Sequence, residues 1–219
     1  RQEALAGGIH VATETDVEIG VAGDPPVAAP GWLRYRSRTP PGQPWVSASV
    51  ASLASGVFYG NQDLHISGVL SGELTIAARG DIRIEDDLRY LGSDPQGTPL
   101  PGCTDLLGCV AEGNIIFADN AANRNNLVVN AVLMALDTSI TAQNYNTGVP
   151  RGTLTIWGGL IQKYRGPVGT FSGGAITTGY RKDYHYDTRV TARTPPAFPL
   201  TGAYEQVAWL ETWDDSYPF

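Results

Sequence analysis

A chain of 219 residues with 42% hydrophobic side chains can bury a core as one domain, or one domain plus a tail, which excludes wholesale disorder. Its formal net charge of −7 excludes non-specific nucleic-acid binding as the default role. No apolar run approaches the roughly 18 residues of a membrane span, and 26 glycines with 15 prolines favour turns over long helices.

Arg1 leads directly into Gln2-Glu3-Ala4-Leu5 without an apolar segment, so any membrane anchor is expected to lie outside this chain. Gly8-Ile9-His10-Val11 and Val17-Glu18-Ile19-Gly20-Val21 then read as strands. A turn cluster follows at Gly23-Asp24-Pro25-Pro26 and Pro30-Gly31. Trp32 to Arg38 alternates and should be extended. The run Thr39-Pro40-Pro41-Gly42-Gln43-Pro44 breaks the chain before Trp45 to Val50.

From Gly56 to Ile156 one short phrase keeps returning, a turn residue followed by apolar–x–apolar. It reads Asp63-Leu64-His65-Ile66, Gly72-Glu73-Leu74-Thr75-Ile76, Gly80-Asp81-Ile82-Arg83-Ile84, Gly113-Asn114-Ile115-Ile116-Phe117 and Gly152-Thr153-Leu154-Thr155-Ile156. A period of two marks a strand with one buried and one wet face. Short strands that return in this way suit a right-handed parallel β-solenoid, an all-β fold. A loop with Pro95, Pro99 and Pro101 interrupts the repeat at 92–102. Leu127 to Ala142 contains good helix formers, but its apolar residues are contiguous and rich in Val, Thr and Asn, which predicts two strands. After Ile161 glycines alternate with aromatics. Tyr180, Tyr184, Tyr186, Phe198, Tyr204, Trp209 and Trp213 are the expected cap for the open end of the coil. The expected organisation is an irregular start over 1–55, a solenoid core over 56–162, and a cap and tail over 163–219.

Side chains that carry chemistry are sparse. Arg34, Arg36 and Arg38 share one face of an extended segment about 7 Å apart, a spacing that fits an anionic ligand or a solvated face. Arg181 and Lys182 are further candidate contacts. Asp183, His185 and Asp187 also share a face, but the outer carboxylates lie about 13 Å apart on a strand, too far for one ion. Asp81, Glu85, Asp86 and Asp87 read as turn charges, and Asn120, Asn123, Asn125 and Asn126 as stacked turn residues. Cys103 and Cys109 fit a loop-closing disulfide better than a metal or redox pair, with two free thiols as the alternative. No nucleophile elbow, P-loop or dinucleotide fingerprint occurs, and nothing selects a carboxylate pair from 22 acids. The expectation is no enzyme, no cofactor and no metal site.

Several stretches resemble a family of pilus-assembly-associated bacterial surface proteins. They are Gly68 to Ala78 followed by Gly80-Asp81-Ile82, Leu107-Gly108 with Val110 to Ile115, Gly152 to Gln162, Lys163-Tyr164-Arg165-Gly166-Pro167-Val168-Gly169-Thr170, and Gly179-Tyr180-Arg181-Lys182-Asp183-Tyr184-His185-Tyr186-Asp187. Pro195 to Pro199 and Trp209-Leu210-Glu211 complete the match. These minor-pilin-like proteins pair a pilin-type hydrophobic helix with a β-solenoid domain. The resemblance implies an exported, cell-surface module whose partners are pilus or other surface proteins, serving adhesion, pilus assembly or substrate capture. It supplies no catalytic residues. A DNA receptor for uptake in competence is the first alternative, and a solenoid polysaccharide hydrolase or lyase the second.

Overall fold

A computed structural model describes residues 1–200. Tyr204, Trp209 and Trp213, expected in the cap, and the motif Trp209-Leu210-Glu211 lie outside the described residues. The chain is all-β apart from one turn of helix, α1 (Gln2–Leu5), and three short 3-10 turns. Fifteen strands among the described residues form one curled sheet in which parallel pairs dominate.

Three sets of parallel neighbours carry the fold. In the first, β1 (Ile9–Val11) pairs with β5 (Val57–Gly60), which pairs with β7 (Glu73–Ala78). The set continues through β9 (Leu106–Ala111) to the second half of β11 (Leu127–Ala135) and of β13 (Pro150–Gln162). In the second, β2 (Thr15–Ala22) pairs with β6 (Leu64–Leu70) and β6 with β8 (Ile82–Tyr90). It ends at β10 (Ile115–Phe117) and β12 (Ile140–Ala142). In the third, the ends of β6, β8, β11 and β13 continue to β15 (Ala175–Tyr186). All five repeated phrases lie on these strands, and Leu127 to Ala142 forms two strands as predicted.

Registry puts like on like. Leu64, Ile82, Ile115 and Ile140 are successive partners, as are Phe58, Ile76, Cys109, Leu133 and Leu160. Apart from Leu160, which is partly buried, these side chains are buried in one continuous core. Fully burying one such side chain contributes about 1.5–3 kcal/mol, so the columns supply the main driving force for folding. Between two columns the chain must bend, and Gly68 does so with φ +116°. A Cβ there would stand 2.1 Å from the Ile19 carbonyl oxygen, so β6 approaches β2 this closely only with glycine.

Two antiparallel additions flank the parallel body. At the N-terminal side β2 turns into β3 (Val27–Ser37), which pairs with β4 (Val46–Ser49). The expected turn at Pro30-Gly31 is not one: both residues lie within β3, opposite a register shift between Ile19 and Val21. Partners absorb the irregularity as a bulge, so the strand bends without reversing. At the other side β14 (Gly169–Ser172) forms a hairpin with the first part of β15.

The last described segment departs from the expected cap. Tyr180 is buried and donates its hydroxyl to the Asn123 carbonyl at 2.5 Å. Phe198, however, packs on Val110, Val132 and Met134 in a small second cluster. Thr75 Oγ1 donates to the Pro196 carbonyl at 2.5 Å, which places this segment against the outside of β7 and β9. Residues 188–200 thus run back along the body and do not close its end. Proline fits such a path because it needs no ladder partner for an N–H.

Candidate functional site

The β2–β3–β4 meander places the first candidate residues. Strand alternation does put Arg34, Arg36 and Arg38 on one face, but β2 sets acids opposite them. Arg34 donates through Nε and Nη2 to Glu18 Oε2 at 2.8 and 2.6 Å. Arg36 meets Asp16 at 3.1 Å, and Arg38 meets Asp16 at 2.9 Å and Glu14 at 3.7 Å. Arg34 is 5% exposed, and the guanidinium carbons of Arg34 and Arg36 lie 4.0 and 4.4 Å from the Trp45 ring centroid. Tyr35 points away, edge-on to Phe58 at 5.3 Å. The triplet therefore closes the meander on β2, and Arg34 is not open to an anionic ligand. Registry across β2–β3 decided this: Asp16 pairs with Arg36 and Glu18 with Arg34.

A second cluster crosses three elements. His65, on β6 and 8% exposed, has Nδ1 2.6 Å from Glu85 Oε1 and Nε2 2.7 Å from Glu14 Oε1. Asn120 Nδ2 donates to Glu85 Oε2 at 2.8 Å. A ring between two carboxylates donates to both only when both nitrogens carry protons. The hydrogen bond from His65, aided by that from Asn120, holds the Glu85 carboxyl below its usual range, against the opposing effect of burial. The sign follows from linkage. A lowered folded value contributes stability that is complete above the unfolded value near 4.5 and is lost as pH falls through the folded value. Glu85→Gln is expected to cost about 1 kcal/mol at pH 7, since Glu85 stays partly exposed. The same change should flatten the decline of Tm below pH 4.5. Equal acid sensitivity in the two proteins would remove Glu85 from the account.

Cys103 and Cys109 are both free, so the expected disulfide is not formed. Cys109 is a core position of β9 between Ile76 and Leu133, where burial pushes its thiol up to about 12. Cys103 sits in the preceding turn, its Sγ 3.7 Å from Asp105 Oδ2. Asp105 in turn accepts the N–H groups of Gly72 and Gly92 at 2.8 and 2.9 Å, holding that turn shut.

The remaining candidates gather at the C-terminal end of the ladders. On β15, Lys182 and Tyr184 stand opposite Leu154 and Ile156, while Arg181, Asp183 and His185 point the other way. His185 stacks on Trp157 at 4.2 Å and 10°, and its Nε2 lies 2.9 Å from Asp183 Oδ1. Asp187 is buried and grips Arg189 through both oxygens, raising that arginine's pKa. Asp187 therefore does not share a site with Asp183 and His185. Among the described residues no group of three His, Cys, Asp or Glu side chains is placed to hold a metal ion. Arg181 is exposed, with Nη2 3.4 Å from Thr153 Oγ1. Lys182 Nζ lies 6.0 Å from the Tyr184 ring centroid. Burial, with the Arg165 charge close by, lowers the Lys182 pKa. Burial pushes Tyr184 up to about 12, with Arg165 opposing. Tyr164, Tyr184 and Tyr186 are 61%, 38% and 59% exposed.

Sequence reasoning named Arg181 and Lys182 as candidate contacts and Arg165 as a cap or ligand residue, but did not place Arg165 beside Lys182. It also missed the bridge from Glu14 through His65 to Glu85, whose members are 51 and 20 positions apart. No local signal could have joined them. No family model, no curated protein and no solved structure matches this chain.

Proposed function

We propose that the chain is a right-handed β-solenoid rod serving as the exposed module of a pilus-associated, minor-pilin-like bacterial surface protein. In this reading it performs no catalysis and presents one end to pilus or other surface proteins, for adhesion, filament assembly or substrate capture. The observation that carries the reading is the repeated registry of Leu64, Ile82, Ile115 and Ile140, which suits a rigid coil built to project. The hydrolase alternative gains nothing from Glu14 and Glu85, two carboxylates brought together from distant parts of the chain. Glu14 and Glu85 are bridged by His65, which fills the space a sugar and water would need. A DNA receptor would have to rely on Arg181 and Lys182, because Arg34, Arg36 and Arg38 are paired with acids. Gold-labelled antibody raised against this chain should decorate pili sheared from the source bacterium. Label confined to the cytoplasm would overturn the reading.

A further inference from the structure

We propose that the open edge of β15, over Arg181 to Tyr186, receives an extended acidic segment of a partner protein as an added strand. Three independent observations meet there. Residues 181–186 pair with β13 on one side, while β14 covers only Ala175 to Gly179 of the other. Among the described residues no further strand lies beyond them. An uncovered edge leaves a row of backbone N–H and C=O groups that an extended chain satisfies directly.

The side chains at this edge fit such a strand. Lys182 and Tyr184 continue the columns of Leu154 and Ile156, so the buried columns end on a half-buried lysine and an exposed tyrosine. Tyr184 and Tyr186, two residues apart, offer ring faces for alternate side chains of an incoming segment. Charge selects its chemistry. Residues 159–186 hold Lys163, Arg165, Arg181 and Lys182 against Asp183 alone, in a chain that is otherwise strongly acidic. Asp183 is engaged by His185, and burial, with the Arg165 charge adding to it, disfavours the charged form of Lys182. Two cations crowded beside an unfilled edge are relieved by carboxylates on the arriving strand. A second copy of the same edge would bring like charges together. A nucleic acid would use the cations and leave the backbone row unmatched.

The proposal does not depend on the cellular setting above, so absence from pili leaves it standing. The test titrates the full chain, 15N-labelled, with a nine-residue peptide of alternating valine and glutamate, and with its lysine-for-glutamate twin. The acidic peptide is expected to bind and to slow amide exchange at 181–186 at least tenfold, and the twin to leave exchange unchanged. Arg165→Glu with Lys182→Glu should weaken binding tenfold or more at unaltered Tm. Should that double variant fail to fold, Arg181→Glu on the outward face is expected to weaken binding about threefold. Equal binding of the two peptides, protection elsewhere than 181–186, affinity untouched by charge reversal, or displacement of the peptide by neutral glycans would each overturn it.

Discussion

Asn130→Ala is expected to lower the free energy of unfolding by about 2–5 kcal/mol, the cost of stranding two buried backbone groups. Asn130 lies on β11 with no solvent exposure. Its Oδ1 accepts the Tyr90 N–H at 3.1 Å, and its Nδ2 donates to the Gly97 carbonyl at 2.6 Å. Through these two bonds one side chain ties the end of β8 to the tip of the loop that separates β8 from β9. The loop has other local ties, including a bond from Arg89 to the Asp94 carbonyl and Asp94 Oδ1 accepting two N–H groups. Asn130 joins its tip to the buried core by a hydrogen bond. Alanine should therefore also expose residues 92–102 to proteolysis before global unfolding. Chemical denaturation and limited proteolysis together check this. A variant with native stability and an unchanged cleavage pattern would show that the loop is held by its own contacts.

Gly158→Ala is the second large effect, and its neighbour supplies the control. A Cβ on Gly158 would lie 1.7 Å from the Ala131 carbonyl oxygen and 2.5 Å from its carbon, both backbone atoms. Neither can move without parting β11 from β13, whose pairing runs unbroken from Leu127 to Ala135. The Gly158 carbonyl also accepts the Asp187 N–H at 3.0 Å, so the distortion would spread to the turn beyond β15. Overpacking of this kind costs about 3 kcal/mol, and more where backbone must shift. Gly159→Ala meets only Val132 Cγ1 at 3.5 Å, an ordinary contact, and should stay within about 1 kcal/mol of the parent. Thermal unfolding of the two variants side by side decides it. If both are equally mild, the close approach of β13 to β11 is not what glycine is needed for.

Much of the architecture was legible because its cause is local. Alternation of Leu, Ile and Val with polar residues, closed by Gly, Asn or Asp, dictates a short strand, and each repeated phrase lies on one, although the intervening His65 and Thr75 are buried too. Leu127 to Ala142 was readable for the same reason: contiguous apolar residues cannot line one face of a helix. The Pro30-Gly31 pair misled because a bulge and a turn use the same residue types. The disulfide misled because spacing says nothing of direction, and β9 carries Cys109 as one member of an aliphatic column.

By itself the sequence determined that the chain is β-rich and repetitive, since composition and period act through propensity and burial alone. Only the tertiary structure decided which charges are spent and which remain available. Arg34, Arg36 and Arg38 face Glu18, Asp16 and Glu14 because strand registry sets them opposite one another. Among the described residues Arg181, Lys182 and Arg165 meet no such acids, since no further strand lies beyond β15 to set acids opposite them. An ion pair depends on distances of a few ångströms between residues far apart in the chain, and pairing of strands is what creates those distances.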